Sequence, residues 1–142
     1  MPELLFFLPS ESCSIDAGSN RISVFHICEQ LNLTQFPGLV PNMCFISLWE
    51  KTGNEDATNT YIQTIELIDP DGTALCKSKA AFQLQRRRHR LISIVNNIRI
   101  HRAGMHRIIV HGFTEGEEKS DATLIKSFPI EVQQIQNPKP AA

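Results

Sequence analysis

The sequence lacks most of the features that announce a chemistry. It has one Trp and one Tyr, too few for a platform on which nucleic-acid bases could stack. Its 14 Lys plus Arg nearly cancel its 15 Asp plus Glu, leaving a net charge of −1. That balance offers neither the basic excess of a nucleic-acid-binding domain nor an acidic tail. The four cysteines, Cys13, Cys28, Cys44 and Cys76, stand singly with no Cys-x-x-Cys. Their spacing argues against a zinc ribbon and weakly against a disulfide framework, and predicts reduced thiols in the cytoplasm. The apolar run at 4–8 is too short to cross a membrane. It follows Glu3 without a basic segment, so it does not read as a secretory signal. Gly-x-Ser-x-Gly, Walker and Gly-x-Gly-x-x-Gly loops are all missing, and no cofactor is expected.

What is present is β patterning, organised around residues 91–112. Ile92, Ile94, Ile98 and Ile100 fall at alternate positions interrupted at Asn96, and the pattern resumes at Ile108 and Val110 beyond Gly104. Two strands joined by a reversal are predicted. A plain hairpin would set Arg99 against Arg107, and like charges directly opposite are destabilising. A corner, leaving one sheet after Ile100 and entering the facing sheet at Met105, avoids that. The run Ile-x-x-x-x-Ala-Gly-x-His-x-Ile from Ile98 resembles the immunoglobulin-type corner between sheets. His106 stands where that pattern has tyrosine and Ile108 where it has its second cysteine, which implies no inter-sheet disulfide here.

The remaining chain is read in the same terms. At 142 residues it is the size of one domain, expected over 1–136 with a frayed tail at 137–142. Residues 4–8, closed by Pro9, read as a buried strand or as the lead-in to Ser12–Asp16, and the turn cluster at 17–20 leads to Ile22, Val24 and Phe25 in an N-terminal hairpin. Residues 29–42 lose alternation, and Pro37-Gly38 and Pro41 argue for a crossover there rather than a central strand. Met43, Phe45, Leu48 and Trp49 mark an unevenly alternating core strand, with Trp49 packing between sheets. Asp69-Pro70-Asp71-Gly72 predicts a three-residue hairpin loop placing Leu67 opposite Leu75 and Ile65 opposite Lys77. Phe128, Ile130 and Val132 share one face of a last strand, and Pro129 places that strand at an edge or delays its pairing. The fold class is all-β: a two-sheet antiparallel sandwich, immunoglobulin-like, of about eight strands.

Four further stretches carry a second resemblance: Asn-Arg-Ile-Ser-Val-Phe from Asn20, Phe-Pro-x-x-Val-Pro from Phe36, Ile-Asp-Pro-Asp-Gly from Ile68, and Ala-Gly-x-His-Arg-Ile-Ile-Val from Ala103. Their order over most of residues 4–113 resembles an uncharacterised family of small bacterial β-sandwich domains. The resemblance implies a fold and brings no activity, cofactor or catalytic residue.

Candidate chemistry is sparse. Arg86, Arg87, Arg88 and Arg90 form a basic loop that could bind an anion or nucleic acid, or could simply be solvated or paired with acidic Glu115, Glu117 and Glu118. Five histidines invite a metal reading, but no pair has ligand spacing, and no metal site is expected. His101 and His106 could meet across the reversal. Asp69 and Asp71 echo a calcium loop, yet turn chemistry accounts for them. Leu33, Phe36, Leu39 and Val40 on the crossover either cap the sandwich or form an apolar interface. The leading expectation is a non-catalytic binding or structural module acting through self-association or a protein partner. Anion or nucleic-acid binding is the alternative, a hydrolase or metal-dependent enzyme the third, and no membrane contact is expected.

Overall fold

A computed structural model describes residues 1–53, 58–117 and 124–136. They contain nine strands: β1 (Glu3–Ile15), β2 (Ile22–Ile27), β3 (Gln30–Leu33), β4 (Gly38–Glu50), β5 (Thr60–Ile68), β6 (Ala74–Gln83), β7 (Arg88–Ile100), β8 (Gly104–Thr114) and β9 (Leu124–Gln134). Sheet A has the order β2-β1-β4-β7 and sheet B the order β3-β9-β8-β5-β6. The described residues contain no helix, and so none long and apolar enough to cross a membrane. The tail at 137–142 lies outside them, as do residues 54–57 and 118–123, including Glu118.

One apolar core draws on both sheets, with Phe7, Met43, Phe45, Trp49, Ile98 and Ile100 from sheet A and Ile65, Leu67, Phe82, Ile108, Ile130 and Val132 from sheet B. Its polar centre spans the layers. Gln63 Oε1 accepts from Trp49 Nε1 at 2.8 Å and from Ser47 Oγ at 2.6 Å. All three side chains are buried, so the amide fixes how the sheets face each other, because a slip would orphan two donors. Gly112 lies against the indole: a Cβ there would sit 2.5 Å from Trp49 Cη2.

The corner is the geometry found. β7 pairs with β4 in sheet A and β8 with β5 and β9 in sheet B, and Arg99 opposes Leu39 while Arg107 opposes Ile68 and Pro129. The Asp69 hairpin also forms, with Gly72 N donating to Asp69 O at 2.9 Å and Gly72 at φ 94°. Its register differs from expectation. Leu67 opposes Cys76 and Ile65 opposes Ser78, because the ladder shifts between Leu67 and Ile68 and leaves Leu75 as an extra residue.

Three other expectations need correcting. β1 does not stop at Pro9 but runs on to Ile15, with Pro9 opposite Phe45. The crossover holds a strand, β3, which makes nine among the described residues, and its ladder with β9 is the one parallel pairing there, the others being antiparallel. β4 passes through Pro41, which it tolerates because that part of β4 is paired with β7 alone. Pro129 behaves as expected on one side: β3 joins β9 only from Glu131 onward.

The N-terminal hairpin is more than an edge ribbon. The β1–β4 ladder ends at Ser10 opposite Cys44, and beyond it β1 pairs with β2 only. Continued straight, the hairpin tip would move away from the Glu50 end of β4. Yet Arg90, which opposes Leu48 near that end, donates to the carbonyl and to Oδ1 of Asn20 in the tip, at 3.2 and 3.0 Å. Cys13 Sγ lies 3.4 Å from Cys44 Sγ. The hairpin therefore doubles back as an arm over the outer face of sheet A. The bend falls at Glu11 and His26, a position the ladder skips, where His26 adopts φ 54°. Beneath the arm, Cys44 and Ile46 face away from the core but are only 2% and 0% exposed. Burial of one such isoleucine contributes about 1.5–3 kcal/mol. At the tip, Asp16 accepts from Gly18 N, Ser19 N and Ser19 Oγ, which holds its carboxyl below the usual range, the Ser19 hydroxyl most of all.

Candidate functional site

Three places gather polar or reactive groups: the corner, the basic loop, and a groove at the root of the arm. At the corner His106 is fully buried, and its Nδ1–H donates to Gly104 O at 3.1 Å. An imidazole thus supplies the kind of side-chain-to-backbone bond that tyrosine makes in the immunoglobulin corner. His106 Nε2 lies 3.8 Å from Asp69 Oδ2, too far for a hydrogen bond. Asp69 is held otherwise, by Arg102 Nε at 3.3 Å and by Asp71 N on Oδ1 at 3.0 Å. Asp71 accepts from Thr73 N and pairs with Arg102 Nη2 at 3.2 Å. Hydrogen bonds from Thr73 chiefly, with Arg102 adding its charge, keep the Asp71 carboxyl below its ordinary range. These groups tie the β5–β6 turn to the β7–β8 corner.

The histidines do not converge. His101 is exposed while His106 is buried, so the pair does not meet across the reversal. His26 Nδ1 is 2.6 Å from Glu11 Oε2 on the surface of the bend. His89 stacks on Phe82 with ring centroids 5.5 Å apart, and burial lowers its pKa. Among the described residues no three His, Cys, Asp or Glu side chains gather as a metal site would require.

The basic loop is less free than its composition suggests. Arg87 Nε and Arg88 Nε both reach Glu50 Oε1, at 2.8 and 3.2 Å. Arg90 is committed to Asn20. The partner of the run is therefore Glu50, across the β4–β7 ladder, and not the loop of Glu115 and Glu117. Arg86 has no partner among the described residues. Arg86 and Arg88 do border a cleft of about 580 Å³, together with Thr60, Phe82, Gln83, Gln85 and His89.

The third place is a groove of about 380 Å³ lined by Glu11, His26, Ile27 and Cys28 from the root of the arm, by Gln30 to Leu33 of β3, and by Leu39 to Asn42 of β4. It opens where the arm turns away and leaves β4 without a neighbour on its β1 side. Of the four crossover residues singled out in the sequence, Leu33, Leu39 and Val40 line it, whereas Phe36 packs half-buried against the core. Val40 is 9% exposed and forms part of the floor, while Leu39 at 52% forms the lip. Glu11, His26 and Ile27 in the far wall are the residues that sequence reasoning missed, because only the bend brings them there. Cys28 lies in the same wall with its thiol pushed up, by burial first and by the Glu11 carboxylate second.

The chain matches no curated protein. Residues 5–133, which take in all nine strands apart from Glu3, Leu4 and Gln134, match a family of unknown function, and the chain accordingly belongs to that family, DUF6941.

Proposed function

We propose that the protein is a non-catalytic binding module whose working surface is the groove between the root of the arm and the free edge of β4. One observation carries this reading: residues 38–42 form a strand edge open on its β1 side, beside Ile27, Leu31, Leu33, Leu39 and Val40. An extended segment of a protein partner, apolar at alternate positions, suits such a site. Its main chain can hydrogen-bond to the edge while alternate side chains enter the groove. Pro41 removes one donor and limits how far such a strand could pair. We read the protein as cytoplasmic, where its four free thiols would be reduced at rest.

Fluorescence-polarisation titrations with extended peptides alternating Val or Ile with polar residues test this, run beside light scattering for self-association. Binding in the micromolar range that Leu39→Asp abolishes is expected. A monomer that binds none of them at millimolar concentration would refute it.

A second reading, small-anion binding, is favoured by the cleft beside Arg86. Filter binding of phosphate-bearing ligands at low salt, compared with Arg86→Ala, decides it: no affinity at low salt removes the idea.

A further inference from the structure

Besides its packing over Ile46, the arm contacts sheet A among the described residues through two hydrogen bonds from Arg90 to Asn20 at its tip and through Cys13 against Cys44 nearer the bend. The two thiols are 31 residues apart in sequence and sit on different layers, Cys13 on the underside of the arm and Cys44 on the face it covers. Neither Cys28 nor Cys76 has a sulfur neighbour of this kind among the described residues. We propose that Cys13 and Cys44 are an oxidation site, a dithiol that a peroxide converts into a disulfide fastening the arm to β4.

The chemistry is set by the two environments. Cys13 is half-exposed, whereas Cys44 is buried and its thiol is pushed up to about 11, by burial first and by Cys13 second. A peroxide in solvent can reach the half-exposed sulfur and not the buried one, so oxidation starts at Cys13. Its sulfur attacks one peroxide oxygen, the O–O bond breaks, and a sulfenic acid forms with release of one water. Cys44 sulfur, giving up its proton, then attacks the sulfenic sulfur. The S–S bond forms, and the hydroxyl leaves as a second water. Two thiols are oxidised by two electrons, and one hydrogen peroxide is reduced to two waters. Closing from 3.4 Å to about 2.05 Å needs a shift of the arm and side-chain rotation, with no change of strand pairing. The product would close a 31-residue separation and make the arm's fold-back covalent, with a melting-temperature rise on the order of 5–10 °C.

The test uses the full-length protein, reduced and then treated with hydrogen peroxide. Thiol titration in denaturant should fall from four free cysteines to two, and peptide mapping should recover Cys13 joined to Cys44 with two hydrogens lost. In Cys44→Ala, Cys13 should be trapped as a dimedone adduct. If that variant does not fold, the wild-type map still decides. Hydrogen exchange over residues 12–27 should slow at least tenfold on oxidation and recover with dithiothreitol, while β5 and β8 stay unchanged. Four thiols surviving, disulfides between chains, or sulfinic acid at Cys13 with no cross-link would overturn the site. A cross-link that leaves exchange in the arm unaltered would overturn its role as a fastening.

Discussion

The outer faces of the two sheets differ in kind. On sheet B the outward residues of the central strands include Glu66 and Arg107, with Lys77 and Lys79 beside them on β6, and Lys77 approaches Glu66 at 3.9 Å. This face is mixed rather than bare, since Ile62, Thr64 and Ile68 on the same side of β5 are only 5%, 8% and 7% exposed between these charged side chains. On sheet A the corresponding positions are Cys44, Ile46, Ile92 and Ile94, and a folded-back hairpin covers Cys44 and Ile46. The difference shows that the molecule is two layers on one side and locally three on the other. An apolar outward face is tolerable because the arm shields most of it, and where the arm's cover ends Ile94 stands 64% exposed. The bend that creates the cover also opens the groove, since β4 loses its β1 neighbour there.

The comparison can be broken most forcefully at the centre of the covered face. Ile46→Ala should cost about 2–4 kcal/mol by denaturant unfolding, as for any enclosed isoleucine. Lys79→Ala on the open face of sheet B should stay within about 0.5 kcal/mol. Equal costs would mean that the two faces are equivalent. Next in size is Gln63→Leu, between the sheets. It leaves the Trp49 and Ser47 donors buried without an acceptor, at about 2–3 kcal/mol, and should leave exchange in the arm unaltered. Arg90→Ala should cost only about 1 kcal/mol overall, yet raise hydrogen exchange selectively over residues 12–27, which separates the arm from the core.

The smallest effect is on pH dependence. His89 is lowered from 6.5 by burial, so the unfolded chain binds its proton more readily than the folded one. Its contribution to stability is present above about 6.5 and declines as pH falls through the interval below that value. His89→Phe should flatten that part of the stability–pH curve. An unchanged slope would mean that the ring is not buried on Phe82.

The parts of this fold legible in the sequence are those fixed by local chemistry. Asp69-Pro70-Asp71-Gly72 encodes its turn through a fixed proline φ and a left-handed glycine, and like-charge avoidance favoured the corner over a hairpin. The Leu75 bulge escaped, since one extra residue in a ladder leaves the apolar pattern intact. The arm escaped for a different reason. Its bend rests on a left-handed histidine, a conformation that no composition signals, and its contacts join residues 31 and 70 positions apart. A trace was nevertheless present. Met43-Cys44-Phe45-Ile46 is apolar at four successive positions, which a strand solvated on one face does not need and a strand covered on both faces does. Read that way, the uneven alternation of β4 was a statement about its surroundings. The arginines were legible as a cluster but not as partners of Glu50, because that pairing depends on β4–β7 register.

Nuclear Overhauser contacts to the Ile46 methyl groups in the reduced protein test the folded-back arm most directly. Cross-peaks from Ile46 to side chains within residues 12–24, in addition to its ladder neighbours Leu8 and Ile92, are predicted. An Ile46 that sees only those two strands, with methyl groups open to water, would contradict the account.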